Sequence, residues 1–165
     1  MAPHRYLVAL GSNMRHPRHG LPPAVLRAAL RALGDAGLAV ERASPIMASA
    51  PLGPSRRRYA NAAAVVRSAL EPPALLDALH AVEHAFSRNR RGMRWQARTL
   101  DLDIVLWDGG CWHDPHLTIP HREFRVRDFV LAPALTIAPR WRDPVTGLTP
   151  RHLHARLTRR AAPPR

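Results

Sequence analysis

The chain has one cysteine, no lysine and no long apolar run, and each scarcity removes a class of function. Cys111 has no second thiol with which to close an internal disulfide or build a thiolate metal site. No stretch approaches the roughly 18 apolar residues of a membrane-spanning helix. The opening MAPHRYLVAL is too short an apolar segment for a signal peptide, so a soluble, cytoplasmic protein is expected. Without lysine, and without the pattern G-x-x-x-x-G-K-[ST], there is no Walker A loop, and any phosphate must be held in another way. The 165 residues, 46% of them hydrophobic, suffice for one core and fall short of two. One domain over residues 1–160 is expected, with a frayed basic tail at 161–165.

What is abundant is arginine. All 25 basic residues are arginines, and the formal net charge is +13. Such an excess suits an anionic partner, and a nucleic-acid-binding module is one reading of it. A bias in genome base composition could produce the same total, given the abundant Ala and Pro, so clustering is more informative. Residues 88–98, RNRRGMRWQAR, hold Arg88, Arg90, Arg91, Arg94 and Arg98 with no acid among them.

Residues 5–10, RYLVAL, read as a strand, and Gly-Ser-Asn at 11–13 as the turn that ends it. A helix follows, with Pro22 and Pro23 in its first turn, an apolar stripe of Val25, Leu26, Ala29, Leu30 and Leu33, and a stop between Gly34 and Gly37. Further strands are expected over 38–46 and 59–67. A second helix from Pro72 and Pro73 buries Leu75, Leu76, Leu79, Val82 and Phe86. A strand over 99–107, a short helix near 126–134 and a last short helix after Thr149 complete the pattern. Two β-α-β runs with short links imply an α+β sandwich, a mainly antiparallel sheet with helices packed on it.

The stretch RTLDLDIVLW places two carboxylates inside a strand pattern. Alternation puts Leu100, Leu102, Ile104 and Leu106 on one face and Thr99, Asp101, Asp103 and Val105 on the other. Carboxylates at that spacing repel unless solvated or bridged, and a hard cation with oxygen ligands would bridge them to a polyphosphate. A half-exposed strand with charges facing water is the plainer alternative. The arginine-rich segment that runs directly into this strand favours phosphate, because guanidinium forks match phosphate oxygens. Metal-binding carboxylates beside guanidinium donors are the recurring parts of phosphoryl transfer. A polymerase-β-type nucleotidyltransferase also combines Gly-Ser with D-x-D, but there the two lie close together, whereas Gly11 and Ser12 stand far from Asp101 in sequence.

Taken with ALGSN at 9–13, PLGP at 51–54, YANAA at 59–63, LTIPH at 117–121 and RDFVLAPALTIAP at 127–139, the sequence resembles the 6-hydroxymethyl-7,8-dihydropterin pyrophosphokinase family. The motifs occur in the family's order over almost the whole chain. The resemblance implies a ferredoxin-like α+β sandwich and transfer of pyrophosphate from Mg-ATP to a pterin alcohol, with release of AMP. It implies two Mg²⁺ ions on Asp101 and Asp103, and a catalytic set of these two with Arg88 and Arg98. Leu76, Arg90, Arg94, Ile104, Leu117, Thr118, His121 and Arg127 would bind ATP. Ser49, Leu52, Tyr59, Asn61, Trp95 and Phe129 would bind the pterin, Tyr59 and Phe129 as a sandwich. The partners so implied are small-molecule substrates, without nucleic acid or membrane, for a monomer.

Four places depart from the family pattern. Gln96 stands where a small residue is usual, Ser49-Ala50 replaces Thr-Pro, Arg122 stands at a position that can hold an aromatic, and SRRR at 55–58 replaces a more acidic stretch. One further motif competes. His80-Ala81-Val82-Glu83-His84 matches H-x-x-E-H, the inverted zinc-protease pattern, although no third ligand is evident and the chain is short for a protease. Glu83 is expected instead to support the neighbouring arginine-rich segment.

Overall fold

The computed structural model describes residues 2–49, 58–87 and 99–160. Its strands are β1 (His4–Ser12), β2 (Ala39–Ala43), β3 (Met47–Ser49), β4 (Tyr59–Ser68), β5 (Asp101–Trp107), β6 (Trp112–His113) and β7 (Thr118–Ile119). Its helices are α1 (Pro22–Asp35), α2 (Pro72–Ser87), α3 (Asp128–Ile137) and α4 (Pro150–Arg160), with a 3₁₀ turn at Phe124–Val126. The main sheet is antiparallel, in the order β2-β4-β1-β5, with β3 also on β4; β6 and β7 form a separate hairpin. The chain path β1-α1-β2, then β4-α2-β5, with β1 in the centre, is the split β-α-β of a ferredoxin-like α+β fold.

Both faces of the sheet are covered. Tyr6, Val8, Leu10, Ala62, Ala64, Leu102 and Ile104 pack with Val25, Leu26, Leu33, Leu75, Leu79 and Phe86 of α1 and α2. On the other face Leu7, Ala63, Val65, Val105 and Leu106 pack with Val130, Leu131, Ala134 and Ile137 of α3 and Leu153 of α4. Each buried leucine or isoleucine contributes about 2 kcal/mol of transfer free energy, so these two layers supply most of the drive to fold. The helix stripes follow the periodicity of the sequence, and Gly37, at φ +82°, ends α1 in a conformation open to glycine.

Four details differ from the sequence reading. The expected strand over 38–46 is two strands, because Pro45 has no N–H for the ladder. Ser44 bridges the break: its N–H donates to Ala63 O (2.8 Å) and its Oγ accepts from Ala63 N–H (2.9 Å). β5 begins at Asp101 rather than at residue 99, and its pairing with β1 shifts between Leu7 and Val8, so that Val105 is an extra residue. Leu106 is therefore not on the face of Leu102 and Ile104; it turns with Val105 toward α3. β1 runs through Gly11 and Ser12, which are strand and not turn. The helix expected near 126–134 is the 3₁₀ turn followed by α3, which continues to Ile137 despite Pro133.

Candidate active site

The register of three strands assembles the site. Gly11 of β1 stands opposite Asn61 on β4 and opposite Asp101 on β5, and Met47 of β3 stands opposite Asn61. One rung further along, Ala9 stands opposite Ala63 and Asp103. Paired residues share a face, so Asn61, Gly11, Asp101, Ala63, Ala9 and Asp103 tile one patch of the face that α3 covers. Its centre carries only a glycine and alanines, and the floor is low between polar rims. Asn61 is buried, Asp101 half-buried and Asp103 exposed. Tyr59 lies two residues before Asn61 on the same face, half-buried and opposite Ser49. Gly-Ser and D-x-D, far apart in sequence, are thus neighbours in space, although Ser12 lies in a strand.

The wall facing this floor comes from the segment between β7 and α3. The N–H of His121 donates to Val105 O at 3.0 Å, where the bulge turns that carbonyl outward. His121 Nδ1 accepts from Glu123 N–H at 3.2 Å, so the neutral ring carries its proton on Nε2. Burial pushes the imidazole below its ordinary pKa, against the pull of the Asp103 carboxylate. Next in the chain, the Arg127 guanidinium lies 5.6 Å from the centre of the Phe129 ring and pairs with Glu123 at 3.2 Å. Phe129 is half-buried at the start of α3 and makes no ring contact with Tyr59.

The remaining described candidates form a second group. Ile104 and Leu117 are buried in the core layer of α1 and α2, and Leu76 packs against the same cluster. They lie on the opposite face of β5 from Asp103, and Thr118 is half-buried beside them on β7. The hairpin that carries Leu117 and Thr118 is held by Asp114, whose Oδ1 accepts the N–H groups of His116 and Leu117 and whose Oδ2 accepts Trp112 Nε1–H. Arg88, Arg90, Arg94, Trp95, Arg98 and Leu52 lie outside the described residues, as do Gln96 and the side chain of Ser49.

Sequence reasoning missed one contributor, Gly11, and did not foresee one contact of another, Glu83. Gly11 opens the floor; its turn-like composition hid its place in the strand, and only the pairing with β4 and β5 shows it. Glu83 Oε1 accepts the N–H of Leu102 at 2.7 Å, at the free edge of β5, so it supports the aspartate strand. His80 and His84 are exposed, and among the described residues no group of three His, Cys, Asp or Glu could hold a metal ion. Two carboxylate oxygen donors on one face, one half-buried and one exposed, suit Mg²⁺, which takes one or two carboxylates and completes its shell with water and substrate phosphates.

The family model described as 7,8-dihydro-6-hydroxymethylpterin-pyrophosphokinase (HPPK) matches residues 7–139. A protein of Synechocystis named 2-amino-4-hydroxy-6-hydroxymethyldihydropteridine pyrophosphokinase is 39% identical over 146 residues, covering 88% of this chain and 72% of its own. One of the same name from Pseudomonas aeruginosa is 40% identical over 141 residues, 85% of this chain and 84% of its own. Among solved structures, the wild-type HPPK-DHPS of Plasmodium falciparum superposes with a TM-score of 0.73 at 13% identity, covering 96% of this chain and 42% of that one. The chain thus spans less than half of that two-part protein, and the likeness concerns the fold.

Proposed function

The chain belongs to the 7,8-dihydro-6-hydroxymethylpterin-pyrophosphokinase family, and from that premise we propose how its residues divide the work. It is a folate-biosynthesis pyrophosphokinase: pyrophosphate passes from ATP to the hydroxymethyl group of 6-hydroxymethyl-7,8-dihydropterin and AMP is released. The observation that supports this assignment of roles is the shared rung of Asn61, Gly11 and Asp101, which sets the Asn61 amide and the carboxylates on one face of the sheet.

In this reading the pterin lies flat over Gly11 between Tyr59 and Phe129, and Asn61 donates to and accepts from its edge. Asp101 and Asp103 would hold two Mg²⁺ ions, which when bound would supply charge neutralisation for the triphosphate. The nucleotide wraps the free edge of β5, with its phosphates on the aspartate face and its base toward Leu76, Ile104, Leu117 and Thr118. The pterin hydroxyl oxygen forms a bond to the β-phosphorus as the bond from that phosphorus to the α,β-bridging oxygen breaks. AMP leaves with the bridging oxygen, and the hydroxyl proton passes to solvent. Arg127 and the Nε2–H of His121 stabilise charge on the phosphate oxygens, as do Arg88, Arg98, Arg90 and Arg94 in the same proposal. Ser49, Leu52 and Trp95 complete the pterin end. No helix among the described residues is long and apolar enough to cross a membrane. We take the protein to act as a cytoplasmic monomer on small molecules.

The test is AMP release from Mg-ATP with and without the pterin, with chelation as control. Pterin-dependent, chelator-sensitive AMP supports the reading. Its absence from folded protein overturns it.

A further inference from the structure

The end of the sheet remote from the aspartates carries a second concavity. From Gly11 back to Arg5 along β1 is six residues, about 20 Å at strand rise. There an open groove of about 700 Å³ runs between the sheet and the end of α3. That volume is in the range of small-molecule sites. Its floor is apolar, formed by Val65, Ile137, Ala138 and Pro139, and Trp141 stands half-buried at its side.

The charges around it are unequal in their commitments. Glu41 is engaged by Arg5 Nε at 2.9 Å and lies 3.7 Å from Arg67 Nε. Asp108 accepts the N–H of Arg5 at 3.0 Å and faces His4 at 3.4 Å. Glu41 is thus already ion-paired and Asp108 hydrogen-bonded. Arg42 makes only a long 3.4 Å contact with Ile137 O, and Arg140 makes no side-chain hydrogen bond or ion pair with any described residue. Among the described residues neither of these exposed guanidiniums pairs with an anion, and both stand beside an indole and over an apolar floor.

We propose that this groove is a binding site for a flat organic anion, a ring bearing a phosphate or carboxylate, held by Arg42 and Arg140 with its ring against Trp141. Guanidinium forks suit the oxyanion and the indole face suits the ring, so the ligand needs both parts. An uncharged ring would gain only the floor, and a bare anion only the rim.

The test is a titration with phenyl phosphate, read by indole emission, with a non-hydrolysable ATP analogue and Mg²⁺ present to occupy the aspartate end. Inorganic phosphate and benzyl alcohol are the comparison ligands. A saturable change is expected that disappears in Trp141→Phe, with both comparison ligands weaker. Affinity should fall about tenfold with each arginine removed and about a hundredfold in the Arg42→Gln/Arg140→Gln double variant, the loss of two charge-assisted hydrogen bonds. Both arginines are exposed, so the variant keeps its fold, which circular dichroism checks. Equal affinity in the double variant, inorganic phosphate binding as tightly as phenyl phosphate, or no saturation by roughly 10 mM would each overturn the site. None of these readouts depends on turnover, and the Trp141→Phe control separates this groove from any binding at the aspartate end.

Discussion

Glu83 accepts a 2.7 Å hydrogen bond from the backbone N–H of Leu102, the residue that separates Asp101 from Asp103. β5 is an edge strand, and this N–H points away from β1 with no strand to receive it. A carboxylate on α2 closes that edge and fixes the helix to the strand that bears both aspartates. Removing it leaves a backbone donor unpaired and lets the strand shift. Glu83→Ala should lower stability by about 1–2 kcal/mol and, through misplacement of the carboxylates, AMP release by about 10²-fold. Glu83→Gln keeps an acceptor and should lose much less of either. Thermal melts beside pterin-dependent AMP assays check this, and equal losses in the two variants would count against the positioning role.

Gly11 is at the centre of the floor because its two neighbours across the sheet are the residues that need space between them. A Cβ built there would meet Asn61 Oδ1 at 3.5 Å, which is ordinary contact. Gly11→Ala should therefore fold normally, while Gly11→Leu projects a branched side chain over the rung between Asn61 and Asp101. The expected result for the larger residue is a rise in pterin KM of about 10²-fold or more, a loss of about 3 kcal/mol of binding, with little change in the melting temperature. Wild-type pterin KM in Gly11→Leu would remove the ring from above this strand.

The aspartates themselves are the sharpest case. Asp101→Ala and Asp103→Ala each remove a carboxylate from a half-exposed or exposed position, so the fold should survive, while AMP release should fall by about 10³-fold. Unaltered turnover in both variants would dismiss the metal assignment.

Asp101 and Asp103 could be read from sequence because strand alternation needs only local spacing, and the same holds for the stripes of α1 and α2. Val105 could not: a bulge depends on how β5 meets β1, and both apolar faces accept valine and leucine equally. Gly-Ser-Asn read as a turn because its composition is that of turns, whereas β1 continues because Gly11 and Ser12 both find partners on β4. Nearness in sequence assigns Glu83 to the arginines, a segment outside the described residues; its bond to Leu102 has no local signal, because it depends on how α2 meets β5. The approach of His121 to β5, through its N–H on Val105 O, is equally a product of tertiary register and has no signal in local spacing.

The H-x-x-E-H motif makes a separate expectation. Its glutamate is committed to β5 and its histidines face outward on α2. Purified protein should carry no stoichiometric zinc, and His80→Ala should leave AMP release within about twofold of wild type, as surface substitutions usually change little. One tightly held zinc per chain, lost in His80→Ala, would revive the metal reading.

Acid stability should depend on a pair far from the chemistry. Asp143 is fully buried and accepts from Arg125 Nε at 2.6 Å and Nη2 at 2.9 Å, from Thr146 Oγ1 at 2.6 Å and from Val145 N–H at 3.0 Å. Burial alone would raise its pKa, but these donors outweigh it and hold the carboxyl below its ordinary 3.8. A depressed folded-state pKa contributes stability above the unfolded value, and that contribution is lost as pH falls through the folded value. The loss should therefore appear below about pH 4. In Asp143→Ala the Arg125 charge, itself partly exposed, loses its partner and the turn at residues 143–148 loses its anchor. A destabilisation of about 2–4 kcal/mol at neutral pH is expected, shrinking toward zero in acid as the wild type loses the same interaction. Denaturant melts of both proteins between pH 7 and pH 3 check the convergence. Parallel curves across that range would place the stabilising interaction elsewhere.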